Sequence, residues 1–457
     1  MNKSIQLITS ALVIGSLLLH GAAYGQQTHP LSLEEAIAAS LAHSNQLKAD
    51  QSKIKAASAT VQDAKNSRLP DVDISGQYLR MNQPNIDLKF GGSAEGSNDS
   101  EAGSDGGFPA VDQAMIGMAS ASLPLFTGGK INNSIASAKY LETAVQLDAQ
   151  RDQQQVIQNT VAAYYNLYKA QAAVDLVKEN LKSSQQRVKD FQNMEANGLV
   201  ARNDLLKVQL QESNLELTLI NAQNNVDVCN YNFNLMLGFD GETHLVLDSI
   251  AQEAVSLTQP MDEWETLALE NRADYQALES RQQAAQAGVN IAKSAYYPTL
   301  ALSASYVDAH VPHALTISNA VNAGVALSYN LGALYKNGAK VRKAKAENEE
   351  LIWHHEQLNE GIRSEIHHAY LNYSQQLKKI EVYLKAMEQA DENYRITKNK
   401  YDNSLATTTD LLDADVARLQ AQIDYAYAKA DAVVAYHKLH ESAGIPAADL
   451  TANNINN

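Results

Sequence analysis

The stretch NGLVARNDLL, at Asn197–Leu206, recurs 206 residues later as NSLATTTDLL, at Asn403–Leu412. The same shift places Gly238 on Gly444, so the register holds without a gap for about forty residues. Each copy lies between two long segments with helical apolar periodicity, as a turn between two helices does. We therefore interpret the chain as two copies of one helical hairpin.

The segments that lead into these turns are unusually long. The first, from about residue 131 to 197, would span roughly 100 Å as a helix at about 1.5 Å per residue. Near the turn its apolar residues keep the spacing of a coiled-coil seam, with Ser184 filling one position; they are Val174, Val177, Leu181, Val188 and Phe191. In the second copy a helix from about residue 337 to 401 precedes the turn. The helix after that turn has its seam predicted at Leu412, Val416, Leu419, Ile423, Ala426, Ala430 and Val433.

The helix that follows the first turn carries two apolar stripes. One includes Leu205, Val208 and Leu215. The other is formed by Leu206, Leu210, Leu217 and Ile220. Two stripes on one helix predict neighbours on two sides, as in a ring of helices.

Four shorter segments have a period of two, which is typical of strands with one apolar face. In the first of them Val72, Ile74, Gly76 and Tyr78 alternate with Asp71, Asp73, Ser75 and Gln77. The strands are predicted at about residues 71–80, 113–125, 298–308 and 320–331. A helix precedes each pair of strands, and a shift of 228 residues lays Pro70 on Pro298. Ser32 and Glu35 predict a capping box at the start of the first helix.

The order helix–strand–strand–long helix–helix therefore occurs twice. We assign residues 26–246 to the first repeat, with its hairpin tip at about 197–204, and 247–445 to the second, with its tip at about 403–410. Residues 446–457 form a C-terminal tail. Residues 1–25 have the features of a secretory signal peptide: Lys3, an apolar run, and a small-x-small cleavage site at Ala23-Tyr24-Gly25.

Composition excludes several classes of protein. The formal net charge is −16 and no long basic cluster occurs, so nucleic acid is not an expected partner. A single cysteine, Cys229, cannot form an intrachain disulfide. After the predicted signal peptide no run of eighteen apolar residues appears, which argues against a helical membrane protein.

Four strands with one apolar face need their edges paired. In lipid an open strand edge is excluded, because its N–H and C=O groups have no partner. Single-chain barrels use about eight strands or more, so four strands would have to combine with those of other copies, and three copies would give twelve. The alternative is a soluble sheet packed on its own helices.

These residues carry a resemblance to a known family. The duplicated plan, the G-L-V-A-x-x-D-L-L tip and its echo Y-D-N-S-L-A-T-T-T-D-L-L-D-A resemble the TolC-type outer-membrane efflux proteins, over essentially the whole mature chain. The resemblance implies a mainly α fold with a membrane β-barrel contribution. Each chain would supply two tandem repeats and four strands to a twelve-stranded trimeric barrel, which continues into a long α-helical periplasmic tunnel. The expected partners are a homotrimer, outer-membrane lipid, a periplasmic adaptor and an inner-membrane pump.

The resemblance also implies roles for residues at the tips. Asp410 and Asp413 match aspartates that ring the periplasmic constriction, and Tyr401 with Asp204 matches a closed-state latch. The adaptor-docking segments are matched by Asn197, Gly198, Leu199 and Val200, and by Asn403, Ser404, Leu405 and Ala406. A second family latch, arginine against threonine, corresponds here to Ala406 and Asn203 and is expected to be missing. Ser404 stands where the family has glycine.

The aspartates also have a simpler interpretation. Asp204 and Asp410 stand at predicted helix N-termini, where a carboxylate caps free N–H groups. Asp413, one turn later, caps less well and is the better candidate for the constriction. Both roles can coexist.

No catalytic constellation is evident, so we expect no enzyme activity and no cofactor. The pairs His354–His355 and His367–His368 lack the HExxH spacing, and His310 with His313 offers too few ligands for a metal site. The sequence leaves two other functions open: a secreted periplasmic coiled-coil scaffold without a pore, and an exit duct for type I protein secretion in place of small-molecule efflux.

Overall fold

The computed structural model describes residues 28–82, 112–248, 257, 259–312 and 315–445. The predicted signal peptide, the Gly/Ser-rich stretch at 91–107, His313 and the C-terminal tail lie outside the described residues. Among those described, no helix combines the length and hydropathy needed to span a membrane.

Within the described residues, the first repeat contains four strands and four helices. Its strands are β1 (Thr28–Leu31), β2 (Asp71–Arg80), β3 (Gln113–Phe126) and β4 (His244–Leu247). Its helices are α1 (Leu33–His43), α2 (Asn45–Asn66), α3 (Lys130–Ala196) and α4 (Arg202–Leu237).

The second repeat contributes two strands and five helices among the described residues. Its strands are β5 (Thr299–Val311) and β6 (Leu315–Ser328). Its helices are α5 (Met261–Asn271), α6 (Ala273–Ser294), α7 (Ala333–Lys336), α8 (Gly338–Asp402) and α9 (Thr408–Ser442). The mainly helical fold with two tandem repeats is confirmed.

The helix before each strand pair is broken, which the sequence did not predict. The first break lies at Ser44, whose hydroxyl accepts the Leu47 N–H at 3.3 Å and so begins α2. The second lies at Arg272, where the guanidinium pairs with Asp274 at 2.8 Å. The 228-residue shift lays the breaks, and both pairs of helix bounds, on one another. The capping box of Ser32 and Glu35 is present as predicted.

Strands β2, β3, β5 and β6 form one antiparallel sheet in the order β2-β3-β5-β6. Its register aligns the predicted apolar positions across the sheet: Ile74 pairs with Ala119, Ala119 with Tyr306, and Tyr306 with Val321. On the other face a polar row crosses all four strands: Asp73 pairs with Ser120, and Ser305 pairs with both Ser120 and Asn322. The next row on that face is less polar, with Ser75 opposite Met118. The sheet therefore has one largely apolar face and one face dominated by small and polar residues.

The chain folds as two compact units that do not coincide with the two sequence repeats. The described residues within 1–50, 148–274 and 358–457 form one unit, and those within 51–147 and 275–357 form the other. Each unit takes segments from both repeats. In the first unit a core forms around Val161, Tyr164, Phe233 and Val433, against which the parallel pair β1–β4 packs through Leu31 and Leu245.

Candidate functional site: the hairpin tips and their junction

The two hairpin tips have the same backbone geometry. Gly198 and Ser404 both adopt positive φ, at 72° and 59°. Leu199 N donates to Met194 O at 2.8 Å, and Leu405 N donates to Lys400 O at 2.7 Å. The side chains of Asn197 and Asn403 each donate to the carbonyl four residues earlier, Asn193 and Asn399, at 2.6 and 2.7 Å. Serine therefore occupies the left-handed position that glycine fills in the first tip.

The tips differ in how the next helix begins. Thr407 caps α9: its hydroxyl accepts the Asp410 N–H at 3.2 Å, and Asp410 Oδ2 accepts the Thr407 N–H at 2.8 Å. These hydrogen bonds from the Thr407 side chain and backbone hold the pKa of the exposed Asp410 carboxyl below its usual range. The corresponding cap of α4 is Ala201, which has no side-chain acceptor. Asp410 thus completes the capping box of α9, and both Asp410 and Asp413, one turn further on, are exposed.

Within about three helical turns of the tips, the two hairpins pack against each other in an apolar cluster. The cluster contains Val188, Phe191, Leu205, Val208 and Leu412, with Val200 and Tyr401 packed against it. The Tyr401 ring stacks on Phe191, with ring centroids 5.7 Å apart and planes 16° from parallel. The junction therefore joins α3 and α4 of the first repeat to α8 and α9 of the second.

Polar groups also lie at this junction. The Tyr401 hydroxyl is hydrogen-bonded to the Thr408 side chain of its own hairpin, and the charge of Asp204 in the first-repeat hairpin acts on it. Burial is the main cause that raises the Tyr401 pKa, and the Asp204 charge adds to it. Asp204 is paired with Lys207 at 3.3 Å, and Lys207 Nζ also reaches Thr409 Oγ1 at 3.3 Å. Asp204 is thus linked to the second tip through Lys207, in addition to its charge near Tyr401.

Comparison with known families identifies the chain at this point. Its sequence matches the family described as outer membrane efflux protein over residues 36–238 and 264–445, most of its length and both hairpins. The chain belongs to the outer membrane efflux protein family. The resemblance to TolC-type proteins is therefore confirmed. Comparison with curated protein sequences found no match.

Solved structures share the fold of this efflux-family chain. The outer-membrane channel OprN is 20% identical, with a TM-score of 0.74, and the match covers 91% of this chain and 90% of that one. The outer membrane protein VceC from Vibrio cholerae is 20% identical, with a TM-score of 0.72 and coverage of 90% and 96%. The CmeC outer membrane channel from Campylobacter jejuni is 17% identical, with a TM-score of 0.72 and coverage of 93% and 88%.

A buried ion pair in this family member was missed by the sequence analysis. Arg187 Nη1 lies 2.9 Å from Asp415 Oδ2, and the two side chains are 10% and 2% exposed. Arg187 Nη2 donates to the Tyr394 hydroxyl at 3.1 Å, and Asn180 Nδ2 donates to Asp415 Oδ1 at 3.4 Å. Burial opposes the charge of Arg187, but the nearby Asp415 carboxylate outweighs it and the pKa of Arg187 is raised.

This ion pair corrects one predicted seam position. Val416 is 47% exposed, so its assignment to the seam of α9 was wrong. Asp415 takes the buried place because Arg187 supplies the countercharge that burial of a carboxylate requires. The sequence feature that could have indicated the ion pair is Asp415 itself, a single aspartate four residues before Leu419 in an otherwise apolar stripe. Its partner lies 228 residues away.

The histidines do not assemble into a metal centre within the described part of the chain. There, no cluster of three or more histidine, cysteine, aspartate or glutamate side chains is arranged to hold a metal ion. His310 Nδ1 lies 3.1 Å from the Thr316 hydroxyl, and His354 pairs with Glu350 at 3.6 Å.

The left-handed turn at the second tip gives a prediction. A non-glycine residue in this conformation costs about 1–2 kcal/mol, partly offset by the greater chain entropy that glycine loses on folding. We therefore expect Ser404→Gly to stabilise the folded state by about 0.5–1 kcal/mol. The reciprocal variant, Gly198→Ser, should destabilise it by a similar amount, because the added Cβ at Gly198 meets open space and only the backbone is strained. Thermal unfolding followed by circular dichroism measures both, and a Ser404→Gly variant that melts below the parent would contradict the prediction.

Proposed function

We propose that the chain is one subunit of a homotrimeric outer-membrane channel of a Gram-negative bacterium, extended by a long periplasmic tunnel. It would act as the exit duct of a tripartite efflux or type I secretion system. A periplasmic adaptor and an inner-membrane pump would deliver the cargo, and the pump would supply the energy. The duct itself would carry out no catalysis.

The main support for a trimeric channel is the four-stranded sheet, which has two edges that are unpaired among the described residues. Strands β2 and β6 lie at opposite edges and run in opposite directions, so β6 of one copy can pair with β2 of the next in the antiparallel sense. Three copies joined in this way form a closed ring of twelve strands, which removes every edge. The exposed apolar face, with Ile74, Val321 and Val325, is suited to lipid.

The helices support the same assembly. On α4 the first predicted stripe is buried within the chain, at Leu205, Val208 and Leu215. The second stripe, at Leu206, Leu210, Leu217 and Ile220, is exposed along the helix. An unpartnered apolar seam of this length calls for another helix, and a second copy of the chain provides it together with the strand edges.

The tips are the proposed docking points for the adaptor. Leu199 and Leu405 are exposed at equivalent places in two turns of the same geometry. Two quasi-equivalent tips per chain would give a trimer six similar docking points. The flanking residues that we include are Asn197, Gly198, Val200, Asn403, Ser404 and Ala406.

We further propose that opening parts the second-repeat hairpin from the first. Tyr401 would hold the packed state by stacking on Phe191 of the first hairpin, and its hydroxyl, hydrogen-bonded to Thr408 of its own hairpin, would keep the ring in this position near Asp204. Loss of the Tyr401 hydroxyl in Tyr401→Phe should therefore raise leakage.

Single-channel recording tests the proposed function. The purified, detergent-solubilised mature protein is added to a planar bilayer beside Tyr401→Phe. Small, discrete, cation-selective steps that become more frequent in Tyr401→Phe are expected. If both proteins are folded but silent, and the chain leaves the membrane fraction without detergent, the pore-free scaffold replaces the duct.

The exposed aspartates of the second tip give a selectivity prediction. Three-fold symmetry would bring three copies of Asp410 and of Asp413 into a ring, where like charges concentrate cations and repel anions. We expect the double replacement by alanine to lower the cation-to-anion permeability ratio by about tenfold, measured as a reversal potential in a salt gradient. The matched control is Glu216→Ala, an exposed carboxylate on α4 away from the tips. An equal shift of the reversal potential in the double variant and in Glu216→Ala would contradict the assignment of Asp410 and Asp413 to a ring in the pore.

A further inference from the structure

The Arg187–Asp415 ion pair lies in a polar layer between two apolar layers. Arg187 is ten residues before the first tip, about 15 Å along α3. On the tip side, Val188 and Leu412 belong to the apolar cluster of the junction. On the other side, Leu181 and Leu419 belong to a second cluster with Val177 and Leu215. The polar layer thus interrupts the seam that holds the two hairpins together.

One guanidinium connects three helices in this layer. Arg187 extends from α3 to Asp415 on α9 and to Tyr394 on α8. The face of the Tyr394 ring is covered by Arg418, whose guanidinium carbon lies 4.6 Å from the ring centroid. Arg418 Nε in turn lies 3.5 Å from Asp391 Oδ1. The first-repeat hairpin is therefore tied to both helices of the second-repeat hairpin at one level.

Stability of the packed state alone does not account for charges at this place. Apolar side chains of similar volume commonly replace a buried ion pair at no cost in stability, and sometimes with a gain. A charged layer and an apolar layer differ in the free-energy cost of opening them to water. Separated charges regain their hydration, whereas separated apolar groups expose surface that water disfavours.

We propose that the Arg187–Asp415 pair is a releasable layer: it pairs the two hairpins when they are packed and lowers the cost of parting them in water. This inference rests on the proposed function, because it assigns a role in the opening of the duct. Arg187 and Asp415 are positioning residues, and neither needs to touch the cargo. An apolar layer in the same place would hold the hairpins shut.

The proposal predicts opposite effects for single and paired replacements. Arg187→Gln or Asp415→Asn leaves one buried charge without its partner. The unpaired charge raises the free energy of the packed state, and this cost disappears when the hairpins part and water hydrates the charge. Each single variant should open about tenfold more often than the parent. Arg187→Met combined with Asp415→Leu removes both charges and should open about tenfold less often, with a melting temperature equal to or above that of the parent.

Planar-bilayer recording of the full-length trimers measures opening frequency, and thermal unfolding measures stability in parallel. The matched control is Lys169→Met with Asp431→Leu, which removes a 2.7 Å ion pair between the same two helices, α3 and α9, further from the tips and more exposed. Its opening frequency should stay that of the parent. If a charged single variant fails to assemble, Tyr394→Phe takes its place, since it removes only the hydroxyl that Arg187 contacts and should also open more often.

Two outcomes would overturn the proposal. In the first, single and double variants shift in the same direction, as expected if the pair only stabilises the fold. In the second, the parent conducts and none of the variants differs from it. A folded parent that gives no current steps would instead contradict the proposed duct function, and with it this inference. Failure of the inference alone is therefore distinguishable from failure of the proposed function.

Discussion

Ile74→Arg is expected to prevent stable insertion of the protein into the outer membrane. Ile74 lies within β2, on the apolar face of the sheet, and is 85% exposed. An arginine near the middle of a lipid-facing strand costs about 2–4 kcal/mol, and three-fold symmetry would repeat this cost in every subunit of one barrel. The amount of protein that stays in the washed membrane fraction and requires detergent for its release should therefore fall severalfold.

Ser75→Arg is the matched control for this substitution. Ser75 follows Ile74 directly, so its side chain is on the opposite face of the same strand. In the proposed barrel that face lines a wide aqueous lumen, where a charge is tolerated. Ser75→Arg should therefore insert nearly as well as the parent. Equal losses in the two variants would mean that neither face meets lipid, and the sheet would then be a soluble one.

The elements that could be predicted from sequence are those whose cause is local. The alternation of Val72, Ile74 and Tyr78 with polar neighbours sets the faces of β2 through the two-residue period of a strand. The repeated tips carry the turn residues and are bounded by long periodic helices, so both hairpins were foreseen. Ser32 and Glu35 form a capping box because capping involves residues three positions apart.

What could not be predicted depends on contacts between distant segments. Asp415 and Val416 are neighbours at the edge of one helical stripe, and only the position of Arg187 decides which of them is buried. The helix breaks at Ser44 and Arg272 carry neither proline nor glycine. Ser44 is a possible N-cap residue, but Arg272 is not, so the shared position of the two breaks has no common local signal. The capping box of Thr407 and Asp410 was within reach, since it has the same three-residue spacing as the first.

Arg272 illustrates why a break can leave no local signal. Its guanidinium pairs with Asp274 two residues on, and also with Glu365 at 2.6 Å and the Ser442 carbonyl at 3.0 Å. These contacts raise its pKa against the effect of burial. The partners come from α8 and the end of α9, so they hold a helix end in place from segments that the sequence separates widely.

Leu210→Glu is expected to abolish the trimer while leaving the subunit folded. Leu210 is 64% exposed in the single chain, at the second stripe of α4. In the proposed assembly this stripe packs against another copy, so a glutamate there would be buried without a partner. The effective cost of burying a charge is several kcal/mol per ion, and the trimer contains three such sites. Helix content should be retained, because glutamate is a good helix former and the inner stripe is untouched.

Sedimentation velocity in detergent separates the two species directly. The parent should sediment as a trimer, and Leu210→Glu mainly as a monomer with the same circular dichroism spectrum per residue. Thr218→Glu is the matched control, since it places the same charge on an exposed position of the same helix outside the stripe. It should remain trimeric. A Leu210→Glu trimer as stable as that of Thr218→Glu would mean that the exposed stripe faces water, and the strand edges alone would then have to hold the copies together.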